Sequence, residues 1–293
     1  MRSKEDDLQP RRTWLPTMSE TVDTETLRAW RRWPRRSTNA SVTTTVMAVH
    51  GLEGTWDSWV DLADALGPGY DVHALDLPWR AGNSYEWPAI AAAATWLRWA
   101  VESTSVVADV VIAHSFGASA ILQLLGLGLL DVRAAVLIAP LYRPDDDVEH
   151  PGYPAQATDR FRAVVRQGLV ARLGERVERM STELLDVMTR KLTDHAETGG
   201  VLASVGMVRE LRTAWLDSVD VPVMIVSGQL DQSAPWPAVR TLAARLGAEL
   251  VRPHDFGHFC QIDRPGQVAR IVRDFFSDTR ISPAATATFE QVG

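Results

Sequence analysis

The sequence predicts an α/β fold: a mostly parallel sheet with helices on both faces, interrupted by a helical insertion. Three observations carry this. From residue 43 onward, short β-branched apolar runs alternate with segments of helical spacing. The alternation stops after residue 140 and resumes near 221. Successive runs end in loops rich in polar residues, as at the carboxyl ends of parallel strands.

The elements follow in order. The basic run RAWRRWPRR (28–36) alternates aromatic and charged residues and reads as an exposed strand. TTTVMAVHG (43–51) is a buried strand ending in glycine. In WDSWVDLADALG (56–67), Trp59, Leu62, Ala63 and Leu66 share a helical face, and Gly67 is a stop signal. YDVHALDLPW (70–79) is a strand running into a proline loop. The alanine-rich stretch 88–103 is one helix with proline early. ADVVIAHS (108–115) is a strand, FGASAILQLLGLG (116–128) a buried helix, and RAAVLIAP (133–140) a further strand. The insertion shows helical spacing at Phe161, Val164, Val165 and Leu169, at Leu184, Val187, Met188 and Leu192, and at Val208, Leu211 and Trp215. Strand 221–231, helix 236–247, strand 248–255 and helix 265–276 complete the pattern. The domain reading is a disordered extension over 1–20, a core over 21–140 and 219–281, a helical insertion over 141–218, and a flexible tail over 282–293.

Bulk properties narrow the function. The chain has 293 residues and a formal net charge of −7, which argues against a nucleic-acid partner or a hold on anionic lipid. One cysteine, Cys260, excludes an internal disulfide and metal sites with several cysteines; it reads as a small buried hydrophobe. No run reaches the ~18 apolar residues of a membrane span. The first residues lack an apolar signal core, and Met18 is an alternative start. The expectation is a cytoplasmic protein with no membrane, metal or cofactor.

Serine, aspartate and histidine appear in that order, each just past a strand: Ser115 in HSFGA, Asp231 in GQLDQSAPW and His258 in HDFGHF. These are the parts of a nucleophile, base and orienter relay. The plainer alternatives are a helix-capping serine, a turn aspartate and a structural histidine.

With these residues the chain resembles the α/β-hydrolase superfamily, of the capped lipase and esterase type, over residues 27–280. The family's G-x-S-x-G turn reads Ala113-His114-Ser115-Phe116-Gly117, with alanine at the first glycine. The resemblance implies Ser115 as nucleophile, His258 as base and Asp231 as its carboxylate. Asp145 to Asp147 are rival carboxylates, and His254 ranks below His258. It implies an oxyanion hole from Phe116 N–H and from Leu52 N–H in HGLEG, with Glu53 N–H a weaker choice. The helical insertion becomes a cap.

The expected pocket adds His50, Gly51, Glu53, Trp56, Trp79, Arg80, His114 and Trp236. His50 is expected to brace the loop through its backbone, and the Glu53 carboxylate to face solvent. About two of Trp56, Trp59, Trp79, Trp87 and Trp236 are expected to line an apolar site. Arg80 would meet a substrate anion or pair on the surface. Met180, Met188 and Met207 read as cap packing. The implied activity is hydrolysis of an ester, thioester or lactone of a bulky apolar small molecule. C–C cleavage, lyase, transacylase or cyclising chemistry in specialised-metabolite biosynthesis is the alternative. A non-catalytic ligand-binding scaffold is a third reading.

Overall fold

A computed structural model describes residues 28–32, 44–104, 106–144, 153–211 and 213–279. Asp145 to Asp147, the 1–20 extension and the 282–293 tail fall outside these residues.

The strands are β1 (Arg28–Arg32), β2 (Thr44–Val49), β3 (Tyr70–Asp76), β4 (Val110–His114), β5 (Ala134–Ile138), β6 (Val223–Val226) and β7 (Glu249–Val251). They form one sheet in the order β1-β3-β2-β4-β5-β6-β7, with β1 antiparallel to β3 and every other pairing parallel. Alternation along the strands divides the core. Met47, Val49, Val111, Ala113, Ala135, Leu137 and Ile225 face one layer, and Val46, Ala48, Val110, Ile112, Val136 and Met224 the other. Both sets are apolar, as in a parallel sheet covered on both faces.

The longer helices are α1 (Val60–Leu66), α2 (Ala93–Thr104), α3 (Ser115–Gly126), α4 (Tyr153–Leu173), α5 (Thr182–Glu210), α6 (Trp236–Leu246) and α7 (Pro265–Asp278). Helices α2, α3 and α6 cover the first layer, and α1 and α7 the second. Helix α3 is buried from Phe116 to Gly126, which explains why its sequence lacks a polar face.

One expected element is divided. The alanine-rich stretch 88–103 is a short turn, Trp87–Ile90, and then α2, with Ala91 in extended conformation between them. Trp87 is buried against Trp79 and Phe116, and its carbonyl accepts from Ala91 N–H and Trp96 Nε1. Burying that ring overrides the helix preference of the alanines.

Between β5 and β6, helices α4 and α5 pack as an antiparallel pair. Arg162 pairs with Glu197 at 2.9 Å and Arg166 with Asp186 at 3.8 Å along their outer side. Two glycines allow the inner contacts. A Cβ on Gly200 would lie 2.4 Å from the Phe161 ring, and one on Gly168 would lie 2.8 Å from the Phe259 ring. Helix α4 therefore sits against the loop that carries His258.

Candidate active site

The chain leaves β2 toward β3 on one side and returns to add β4 on the other. The reversal opens a crevice between β2 and β4 at their carboxyl ends, where open α/β sheets bind ligands. The loops after these strands carry His50 to Gly54 and Ser115.

Ser115 sits where β4 passes directly into α3, with φ 50°. A non-glycine residue in the left-handed region is strained, and the flanking structure must hold it there. Gly117 makes that possible: a Cβ at this position would lie 2.3 Å from the His50 carbonyl oxygen. Ala113 is fully buried in the sheet, so its extra methyl, the departure from the family pattern, is accommodated by packing.

His258 bridges the other two residues. Its Nδ1 lies 3.0 Å from Asp231 Oδ2 and its Nε2 lies 3.2 Å from Ser115 Oγ. The carboxylate fixes the proton on Nδ1 and leaves Nε2 to accept from the serine. Asp231 Oδ1 accepts from Ser233 N–H at 2.8 Å and Ala234 N–H at 3.4 Å. Burial raises the Asp231 pKa, but His258 and these hydrogen bonds outweigh it and hold the carboxyl below its ordinary value. His254 is exposed.

Two further histidines are buried and neutral. His114 donates from Nε2 to the His258 carbonyl at 2.9 Å, and burial holds its pKa well below the usual 6.5. His50 donates from Nδ1 to the Gly51 carbonyl at 2.8 Å and accepts Leu77 N–H on Nε2 at 3.0 Å. Burial lowers its pKa to about 4. Its own carbonyl accepts from Trp79 Nε1 at 3.1 Å. These bonds tie the loop after β2 from beneath.

Gly51 brings that loop to the serine: a Cβ there would lie 3.1 Å from Ser115 Cβ. Among the described residues, neither Leu52 N–H nor Phe116 N–H has a hydrogen-bond partner. Glu53 N–H donates to the Trp79 carbonyl at 3.0 Å, which removes it from the choice of donors. Glu53 also has positive φ, 55°. Its carboxylate does not simply face solvent as expected. It accepts from Tyr85 Oη at 2.5 Å, and its carbonyl accepts from Arg172 Nη2 at 2.6 Å.

Ser115, His258, His114, Phe116, Leu52 and Glu53 line one cavity of about 990 Å³, counted with its open mouth. Its apolar wall comes from Phe161, Val164, Val165 and Leu169 of α4, with Phe259 and Leu141. His50, Gly51, Trp56, Trp79, Arg80 and Trp236 were expected in the pocket and are not among its lining residues. His50 and Trp79 lie beneath the loop in the core, Trp79 against Phe116 and Trp87. Trp56 packs on the second layer, Trp236 packs under Arg252, and Arg80 lies 3.7 Å from Asp76. Among the described residues, no tryptophan lines the cavity. Cys260 is buried, as expected.

Three charged cavity residues had no place in the sequence reading: Arg143, Arg160 and Arg172. For two of them a signal existed. Arg160 and Arg172 continue the spacing of Phe161, Val164, Val165 and Leu169, so they fall on the same face of α4. Arg143 follows β5 in a stretch without periodicity and left no such mark. Among the described residues, no group of three or more His, Cys, Asp or Glu could hold a metal ion. No described helix is long and apolar enough to cross a membrane.

Comparison with known proteins agrees with this architecture. The chain is 30% identical over 234 residues to the dihydrolipoyllysine-residue acetyltransferase component of an acetoin cleaving system from Cupriavidus necator. That match covers 75% of this chain and 60% of the relative, so the chain spans about 60% of the relative's length. A thermophilic esterase from Thermogutta terrifontis is similar in fold, with TM-score 0.59 and 18% identity over 86% of this chain and 93% of the esterase. An enol-lactonase from Burkholderia xenovorans LB400 is similar, with TM-score 0.59 and 17% identity over 86% of this chain and 96% of the lactonase. The sequence pattern of the alpha/beta hydrolase family matches residues 46–271, and the chain belongs to that family.

Proposed function

We propose that the chain is a serine hydrolase that cleaves an ester, thioester or lactone of an apolar small molecule through an acyl-enzyme. The observation that carries this is His258, which lies between Ser115 Oγ at 3.2 Å and Asp231 at 3.0 Å on the wall of an apolar cavity. A serine hydroxyl is a weak nucleophile at neutral pH and needs a base within hydrogen-bond reach.

As Ser115 Oγ attacks the carbonyl carbon, His258 Nε2 takes its proton. Asp231 stabilises the imidazolium and keeps the ring oriented. Leu52 and Phe116 N–H groups receive the oxygen that becomes negative. His258 then returns the proton to the leaving oxygen or sulfur, and the acyl group remains on Ser115. Water, deprotonated by His258, attacks the acyl-enzyme and releases the acid.

A second reading has one specific support. The relative that the chain matches is named an acetyltransferase component, and in this reading the acyl group passes to another acceptor in place of water. Turnover of p-nitrophenyl esters by wild type and Ser115→Ala tests the first reading. Release of nitrophenol by wild type and at most background release by the variant is the expected result. Equal release by both would remove it. Faster release on adding a thiol, with transfer of the acyl group to sulfur, would favour the transferase reading.

A further inference from the structure

The turn that presents Leu52 N–H is held in a conformation its sequence does not favour. Gly54 N–H donates to the Gly51 carbonyl at 2.9 Å, which closes a turn over Gly51, Leu52, Glu53 and Gly54. Glu53 stands third in it, with φ 55°. A turn with positive φ at its third residue ordinarily has glycine there, because a side chain is strained in that region. The commoner turn has negative φ at both central residues.

The shape of this turn sets the direction of the candidate donor. The Gly51 carbonyl accepts from His50 Nδ1 at 2.8 Å as well as from Gly54 N–H. A trans peptide points its N–H away from its C=O, so Leu52 N–H points away from both of these donors. Gly51 lies against Ser115, which places that N–H beside the nucleophile.

Glu53 is held from several directions. Its N–H donates to the Trp79 carbonyl at 3.0 Å, and its carboxylate accepts from Tyr85 Oη at 2.5 Å. Both partners belong to the chain just after β3. The Glu53 carbonyl accepts from Arg172 Nη2 at 2.6 Å, and Arg172 belongs to the last turn of α4. One turn earlier on that helix, Gly168 faces Phe259, the neighbour of His258. The same end of α4 thus touches the loop of the base and the turn of the oxyanion donor. A guanidinium donor makes a stronger hydrogen bond than a neutral one. The Asp57 and Glu53 carboxylates also act on Arg172 and draw it to this loop.

We propose that Arg172 is a positioning residue for the oxyanion hole. By holding the Glu53 carbonyl it keeps the Gly51–Gly54 turn in the form that aims Leu52 N–H at the reacting oxygen. This role rests on the hydrolase reading above. Arg172 touches no reacting atom in it and acts through the turn. Docking of α4 and assembly of the oxyanion hole thereby become one event.

Turnover of p-nitrophenyl butyrate by wild type, Arg172→Ala, Glu53→Gly and the double variant tests this. Arg172→Ala should lower kcat at least about tenfold and change KM less than about threefold, since the turn acts on the transition-state oxygen more than on the bound ester. Glycine takes positive φ without strain, so in the Glu53→Gly background the same substitution should cost less than about threefold. Labelling of Ser115 by a fluorophosphonate, whose phosphoryl oxygen meets the same donors, should slow in the same proportions. Arg166→Ala removes a side chain paired with Asp186 on the outer side of α4 and should leave kcat unchanged. Arg172 is exposed, and circular dichroism of each variant separates lost activity from lost fold. An unchanged kcat in Arg172→Ala, a loss confined to KM, or an equal loss in both backgrounds would overturn the proposal. Wild-type turnover in any of those cases leaves the hydrolase reading standing. Neither turnover nor a Ser115 adduct in wild type would remove the hydrolase reading and this role with it.

Discussion

Ser115 keeps its left-handed conformation only because its neighbours leave no room for another arrangement. Gly117 is the tightest of these, with the His50 carbonyl where a Cβ would stand. Gly117→Ala should destabilise the protein by roughly 1–3 kcal/mol, through forced backbone movement, and lower ester turnover with it. Denaturant unfolding and a p-nitrophenyl ester assay on the same preparation check both. Buried neutral histidines set the acid limit. His50 has a folded pKa of about 4 against an ordinary 6.5, so the folded state binds its proton less readily than the unfolded chain. Its contribution is complete above pH ~6.5 and is lost as pH falls toward ~4. His114 is shifted in the same direction. Asp231, held below its ordinary value, acts at still lower pH. Stability at pH ~5 should therefore be about 2 kcal/mol lower than at pH ~8 from His50 alone. Urea unfolding at the two values, compared with a His50→Gln variant that lacks this slope, measures it. Ser115, Asp231 and His258 were legible because a turn, a strand end and a glycine-histidine pair mark them in one dimension. The pocket tryptophans were misjudged because nearness in sequence to a loop says nothing about which side of it a ring packs.

The pair of α4 and α5 is an element whose packing depends on absent side chains. Gly199 of α5 lies against Tyr85, and a Cβ there would come within 2.3 Å of the root of that ring. Tyr85 in turn donates to Glu53, and Arg172 of α4 donates to the Glu53 carbonyl. Helix α4 directly, and α5 through Tyr85, thus meet the loop that carries Leu52, one of the candidate oxyanion donors. Gly199→Ala should loosen this seam, at a cost of about 1–3 kcal/mol in the docking of α4 and α5. Amide hydrogen exchange over 153–210 should quicken while the central strands keep their protection. Unchanged exchange over 153–210 would show that the seam yields without effect. Helical spacing revealed α4 by an apolar stripe that lines the cavity, but on α5 it marked the helix and not its buried face, since Leu184 and Val187 are exposed while Leu185 and Ala196 are buried. The break before α2 did not show, because local propensity favours helix through the alanines and only the distant rings of Trp79 and Phe116 oppose it.

At the scale of the molecule, the sheet order brings together residues far apart in the chain. The strand-helix rhythm identified a parallel sheet and pointed to its carboxyl edge. It could not give the order β3-β2-β4, since sequence rhythm does not say on which side each strand is added. That order creates the crevice in which HGLEG faces HSFGA, and β5, β6 and β7 then carry Arg143, Asp231 and His258 toward the same edge. The central claim is that this convergence activates one serine. The most direct measurement is labelling of the intact protein with a fluorophosphonate, followed by peptide mapping of the adduct. The account expects one phosphonyl group, on Ser115, absent in Ser115→Ala and formed at least about a hundredfold more slowly in His258→Ala. No adduct, an adduct on another residue, or equal labelling of Ser115→Ala would contradict it.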